Sequence, residues 1–402
     1  VNTGDTAWLL ISAALVLFMV PGLALFYGGM VRRKNVLSTL MHSFVAVPIV
    51  SILWVAFGYS LAFGPSHKGL IGDFSLAGLG SLADGAQGTT PSYAFVLFQM
   101  MFAAITPALV SGAFAERMKF RTYIAFVVLF CVFVYLPVAH WVWAPDGWIF
   151  KLHALDFAGG TVVHMTAGAA ALVGALLVGK RLKYPHETPV PHNLTMTLTG
   201  TGLLWFGWFG FNAGSALAAN KIAALAALAT HLGACGGAIG WVAIEWSHRG
   251  KPTALGVASG IVAGLVAITP AAGFVAPWAA IVIGLLAGVV CYGGVLLKHR
   301  FGYDDSLDAF GVHGVGGLFG AIATGIFADT RFNPDGGDGL IRGQTKQFLV
   351  QLLACAVVGL YAAAVSALIF LVLKKTMGLR VEASEEREGL DETLHGETGY
   401  AG

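Results

Sequence analysis

Asp156–Arg181 reads DFAGGTVVHMTAGAAALVGALLVGKR: a carboxylate, more than twenty apolar or small residues, then two cations. At about 1.5 Å of rise per residue, a helix of that length crosses a hydrocarbon core of roughly 30 Å. One residue does not suit that setting. His164 sits eight positions into the run, and an ionisable side chain inside a membrane span is costly enough to mark a functional position by default. The arrangement recurs in DDSLDAFGVHGVGG, where Asp305 stands eight positions before His313.

The surrounding chain is of the same kind. Of 402 residues, 57% are hydrophobic and 11% charged, with mean hydropathy +0.77. A soluble globular chain carries about 25% charged residues, so the composition is that of an all-α polytopic membrane protein whose partner is the lipid bilayer. The 54 glycines suit close helix–helix contact in lipid. A net charge of +2, with no basic, aromatic-interleaved patch, gives no sign of nucleic acid as a partner. Cys131, Cys235, Cys291 and Cys355 all fall in apolar runs without metal-ligand spacing and read as small buried hydrophobes. No metal and no cofactor is expected. Val1, where a start Met would stand, leaves room for a removed leader.

Hydropathy gives eleven transmembrane helices, at roughly 6–30, 41–64, 92–115, 121–143, 157–180, 192–212, 220–247, 253–270, 275–299, 310–328 and 347–373. Alternate connections and the C-terminal end hold 17 of the 23 Lys and Arg residues, which the positive-inside rule places in the cytoplasm. The N-terminus is then outside and the C-terminus inside, in a multi-pass protein of the cell inner (plasma) membrane. Asp-x7-His recurs five spans apart, and so does AITPA, at Ala104–Ala108 and Ala267–Ala271. This predicts an inverted five-plus-five repeat with an extra C-terminal helix. His164 and His313 then lie about 12 Å deep from opposite faces, both near the midplane. The unit 1–375 forms the membrane domain; 376–402, TMGLRVEASEEREGLDETLHGETGYAG, is an acidic polar tail.

A single membrane histidine is most simply a structural hydrogen-bonding group. Two at matching depth, related by the repeat, point to a path for a small polar solute or its proton, because neutral imidazole offers one donor and one acceptor nitrogen. Asp156 has two compatible readings, a helix N-cap and a buried carboxylate shaping a cation site. Asp305 and Asp308 read as caps. Trp141, Trp143 and Trp148, and the run WFGWFGFNAGS ending at Ser215, fit an interfacial aromatic belt. An indole face also attracts a cation by about 0.5–2 kcal/mol. The outer loop Pro65–Pro91 carries no chemical motif.

DFAGGTVVH followed by GKR resembles the signature of the ammonium transporter (Amt/Mep/Rh) family, on its Amt branch. VPGLALFYGGMVRRKNVLS, AERMKF, PHNL, GWFGFNAGS, ITPAAGF and FGVHG extend the resemblance over nearly the whole chain. The resemblance implies that Trp143, Ser215 and Phe102 recruit ammonium with support from Asp156, and that Phe102 and Phe211 form a phenyl gate. It also implies that His164 and His313 line an apolar pore for ammonia, and that the protein is a homotrimer and not an enzyme. In the tail, GLRVE, EREGLD and HGE resemble the family's docking region for a cytoplasmic PII signalling protein. Gly389, Asp391, His395, Gly396 and Glu397 are the positions concerned; the plain alternative is a disordered acidic tail. Two other functions remain open: an ammonium sensor using the same pore, which usually carries a fused output domain, and a passive ammonia gas channel, which would have a weaker aromatic site.

Overall fold

In lipid, a backbone can satisfy its polar groups only internally, so long apolar runs become helices. The computed structural model describes residues 1–186 and 190–400. Eleven helical segments follow in order: α1 (Thr3–Met30), α2 (Arg33–Phe63), α3 (Ser92–Phe114), α4 (Phe120–Lys151, its last turn offset by a bend), α5 (Gly160–Val178), α6 (Leu194–Trp208, continued by Phe209–Ala213), α7 (Lys221–Arg249), α8 (Ala254–Ile268), α9 (Pro277–Phe301), α10 (Phe310–Phe327) and α11 (Thr345–Thr376). Among the described residues, nine of these are long and apolar enough to cross a membrane. The expected spans 192–212 and 253–270 are the two shorter ones. α6 changes to a wider turn after Trp208, and α8 stops at Ile268, just before Pro270.

Glycine sets how closely these helices pack. A Cβ on Gly236 of α7 would lie 2.7 Å from the Ile281 carbonyl oxygen of α9, and one on Gly22 of α1 would lie 3.0 Å from the Leu204 amide of α6. Backbone therefore meets backbone, as small-residue stripes allow in membranes. Two antiparallel ladders, Ser66–His67 with Ile71–Gly72 and Ala86–Gln87 with Thr90–Pro91, stiffen the loop between α2 and α3 and are the strands among the described residues.

The connections rich in Lys and Arg converge on one face. There the Arg181 guanidinium pairs with Asp304 at 2.8 Å and with Glu116 at 2.9 Å, and Arg32 reaches the same Glu116 at 2.9 Å. Burial would raise both carboxyls. For Asp304, the Arg181 hydrogen bonds and the Arg117 and Arg181 charges outweigh it; for Glu116, Arg181 and Arg32 do so. Both are held below the ordinary carboxylate range.

The tail is folded onto this face, contrary to the reading as a disordered segment. It forms α12 (Ala383–Glu388) and α13 (Leu390–His395). Gly389 takes φ +122° where it packs against Lys34. The Asp391 carboxylate accepts from the Leu37 and Ser38 amides at 3.1 and 2.8 Å. The His395 ring rests edge-on against Phe120 at 4.8 Å. Gly396 ends α13 in the left-handed region, and the Glu397 amide turns back to the Asp391 carbonyl at 3.3 Å. Residues 401–402 of the expected tail lie outside the described residues.

Candidate functional site

The fold brings the two sequence repeats face to face. α5 and α10 each begin with a π turn, Gly160–Met165 and Phe310–Gly314, and each turn carries its histidine. Such turns occur mostly as local widenings at functional positions. In α5 the Val163 and His164 amides both donate to the Gly159 carbonyl at 3.0 Å, so the helix is one residue wide of α geometry there. Asp156 fixes the start. Its carboxylate accepts from the amides of Gly159, Gly160, Thr161 and Val162 at 2.6–3.1 Å and from the Thr161 hydroxyl at 2.5 Å. It is thus a cap that consumes the negative charge on free helix-start amides. Asp305 does the same for α10, accepting from Ala309 and Phe310 at 3.1 and 2.8 Å. Asp308 does not cap: its backbone is left-handed at φ +61°, and its carboxylate pairs with Lys298.

His164 and His313 are 1% and 4% exposed, and their Nδ1 atoms lie 3.3 Å apart. They are separated by 149 residues, and Asp156/Asp305 and Gly168/Gly317 share that offset. The packing is reciprocal as well. A Cβ on Gly168 would strike the Gly314 backbone, and one on Gly317 would lie 3.1 Å from the Met165 amide, Met165 being the 149-residue counterpart of Gly314. An Nδ1···Nδ1 contact needs one proton between two nitrogens. One ring donates and the other accepts, which leaves one Nε2 as acceptor and one as N–H donor. The His164 Nε2 is buried and has no protein partner.

Around the pair lies a narrow, apolar cavity of about 10 Å³, lined by Leu23, Ile105, Trp208 and Val262 among others. That is space for the centre of about one water-sized molecule. Trp208 stacks on His164 with ring centres 5.4 Å apart and donates through Nε1 to the Thr269 hydroxyl at 2.9 Å. Above the cavity Phe102 and Phe211 stack at 4.2 Å, and Phe211 continues to His164 at 5.9 Å. Trp143 stands edge-on to Phe102 at 5.9 Å, with its Nε1 donating to the Asp156 carbonyl at 2.9 Å. Ser215 is attached through its hydroxyl, which donates to the Phe211 carbonyl at 2.8 Å.

Six of the expected residues therefore form one chain of contacts: Trp143, Phe102, Phe211, His164 and His313 through their rings, and Asp156 through backbone. Ser215 joins it at the carbonyl of Phe211. Sequence reasoning passed over Trp208, although it stands inside the quoted run WFGWFGFNAGS. It also passed over Arg117, which is fully buried and donates to the carbonyls of Gly179 at 2.7 Å and Asp304 at 2.6 Å. As one of the Lys and Arg residues used for orientation, it gave no separate signal. Among the described residues no group of His, Cys, Asp and Glu is arranged to hold a metal.

The Ammonium Transporter Family profile matches residues 7–400. The ammonium transporter of Bacillus subtilis (strain 168) is 51% identical over 405 residues, covering 99% of this chain and 98% of that one. Among solved structures, Mep2 of Saccharomyces cerevisiae superposes with a TM-score of 0.88 at 37% identity, over 95% of this chain and 88% of its own. A sensor Amt protein superposes with a TM-score of 0.90 at 32% identity, over 98% of both chains.

Proposed function

This chain belongs to the ammonium transporter family, and from that premise we propose that it moves ammonium as two separated parts, ammonia and a proton, through the histidine-lined cavity. Ammonium is a weaker acid than imidazolium, so near pH 7 nearly all of it is charged. A charge is costly to bring into a narrow apolar cavity, whereas neutral ammonia is not. The ring faces of Trp143 and Phe102 attract the cation at the outer end, with Ser215 offering a hydroxyl and Asp156 holding Trp143 and the α5 turn in place. Phe102 and Phe211, in van der Waals contact, must part for a solute to pass. Below them the neutral imidazole pair presents one acceptor and one donor nitrogen, which suits ammonia and can relay the proton. K⁺ has no proton to lose and is excluded on that ground.

The observation that carries this reading is the 3.3 Å imidazole pair in an apolar cavity, with one buried nitrogen left without a protein partner. It is tested by ammonium uptake into proteoliposomes holding the purified protein, with K⁺ in excess. Uptake that K⁺ does not compete for is the expected result; uptake suppressed by K⁺ contradicts it.

The eleven segments are read as eleven spans in an inverted five-plus-five repeat, N-terminus outside, supported by the shared 149-residue offset and the reciprocal glycine contacts. Protease access to the tail in oriented membrane vesicles tests the topology. We carry over from the family resemblance a homotrimer in the plasma membrane and a PII partner at the tail; loss of PII capture on deleting residues 382–402, and crosslinking to trimers, are the corresponding tests. A second reading, a sensor, is favoured by the superposition on the sensor Amt protein. Ammonium binding without flux would establish it.

A further inference from the structure

Leu155 lies directly before Asp156, in backbone that belongs to no helix. Its N–H donates to Gln351 Oε1 at 2.7 Å, and its carbonyl accepts from Gln351 Nε2 at 2.8 Å. One primary amide from α11 thus satisfies both backbone groups of one residue, as a neighbouring strand would. The same Nε2 also donates to the Ala321 carbonyl of α10 at 3.0 Å, and Gln347 Nε2 reaches Oε1 at 3.4 Å. Gln351 therefore uses both its N–H donors and both acceptor positions while only 1% exposed. A buried amide is tolerated on those terms and costly on any others.

The repeat counterpart of Leu155, by the 149-residue offset, is Asp304. Its carbonyl is also held by a buried side chain, the Arg117 guanidinium at 2.6 Å. Each capping carboxylate is thus preceded by a clamped peptide, but one clamp is neutral and the other charged. A guanidinium beside Asp156 would set a cation where the ammonium ion is drawn in. An amide holds the backbone there without charge.

We propose that Gln351 is a positioning residue for transport: it fixes the Leu155 peptide, and through it the Asp156 cap and the π turn bearing His164, in register with α10, which bears His313. This rests on the transport reading above. Gln351 touches neither the cavity nor the aromatic site, so it acts only through the segments it ties.

Two variants test it, Gln351→Met and Gln351→Glu. The first keeps the length and removes every polar contact. The second restores a donor and an acceptor when its carboxyl is protonated, and faces the Leu155 and Ala321 carbonyls with a charge when it is not. Uptake into proteoliposomes is measured from pH 5.5 to 8, each value relative to wild type at the same pH, alongside the melting temperature and the amount of folded protein. Gln351→Met is expected to raise the half-saturating ammonium concentration roughly three- to tenfold, in line with the loss of one or two net hydrogen bonds. Gln351→Glu is expected to approach wild type at acid pH and fall away as pH rises, a profile that loss of packing alone does not give. A Gln351→Glu profile parallel to wild type overturns the proposal, as does activity lost only in proportion to folded protein. If wild type itself carries no flux, the transport reading fails, and the clamp is judged on ammonium affinity by calorimetry. The same pattern in the two variants then supports it, and unchanged affinity in both overturns it.

Discussion

At the residue scale, chemistry is concentrated in a few polar groups whose surroundings leave them little freedom. Asp156 accepts five hydrogen bonds and has no valency to spare for a passing cation. In the proposed recruitment site it would therefore act through geometry, by way of Trp143, which donates to its carbonyl, and the α5 turn. Asp156→Asn keeps the size but replaces one acceptor oxygen with a donor that faces backbone N–H groups. Each amide so orphaned costs about 1–3 kcal/mol, so the variant is expected to lower the melting temperature and cut uptake at least tenfold; uptake at wild-type level contradicts the capping account. The histidines were legible before the structure because an ionisable side chain stands out against an apolar run. Phe102, Phe211 and Trp143 were singled out only through the family resemblance, since an aromatic ring in such a run is also ordinary packing or interfacial belt. Gln351 and Arg117 were not, because their partners lie 196 and 187 residues away and nothing in local periodicity encodes such a pairing.

The elements show where periodicity succeeds and where it stops. Apolar runs foretold most of the helix bounds to within a few residues, but α2 starts eight residues before the expected 41 and α4 ends eight residues after the expected 143. They carry no sign of the π turns at Gly160–Met165 and Phe310–Gly314. The close crossing of α5 and α10 depends on glycine. Gly168→Ala places a methyl against the Gly314 backbone, an overpacking that costs about 1–3 kcal/mol, and it separates the imidazoles. Gly293 on α9 has nothing within 4 Å of its would-be Cβ. Gly293→Ala is expected to be neutral or to stabilise by about 0.5–1 kcal/mol through helix propensity. Thermal melts and uptake of the two variants, measured together, check this; equal effects would mean that the α5–α10 contact is not specific.

At the scale of the whole molecule, one face joins the loops after α1, α3, α5 and α9 to the tail through buried charges. The sequence foretold that these connections share a side from their cations alone; Glu116 and Asp304, which neutralise them, were passed over. Both carboxyls are held below their ordinary range, so they contribute stability that is fully present above the unfolded-state values near 4 and lost as pH falls through the lower folded ones. Asp391, which burial holds above the ordinary range against the pull of the Ser38 and Leu37 amides, works in the opposite sense and favours a docked tail in acid. Hydrogen exchange at the Arg181 amide, which donates to Asp304 at 2.8 Å, is expected to stay protected from pH 7 to 5 and to open only below about pH 4; loss of protection near pH 6 would contradict the assignment. Arg181→Ala leaves two buried carboxylates short of a partner and is expected to cost about 3–5 kcal/mol, read as a fall in melting temperature. The central claim proposed above is that the imidazole pair, with Nδ1 atoms 3.3 Å apart, lets ammonia and the proton part company. The most direct measurement is the current from purified protein on a supported membrane during ammonium jumps without K⁺, and then during K⁺ jumps, for wild type and for the His164→Ala/His313→Ala double variant. The account predicts a sustained ammonium current with no K⁺ current in wild type, and a loss of that discrimination in the variant. Ammonia flux without current in wild type, or full K⁺ exclusion in the variant, would contradict it.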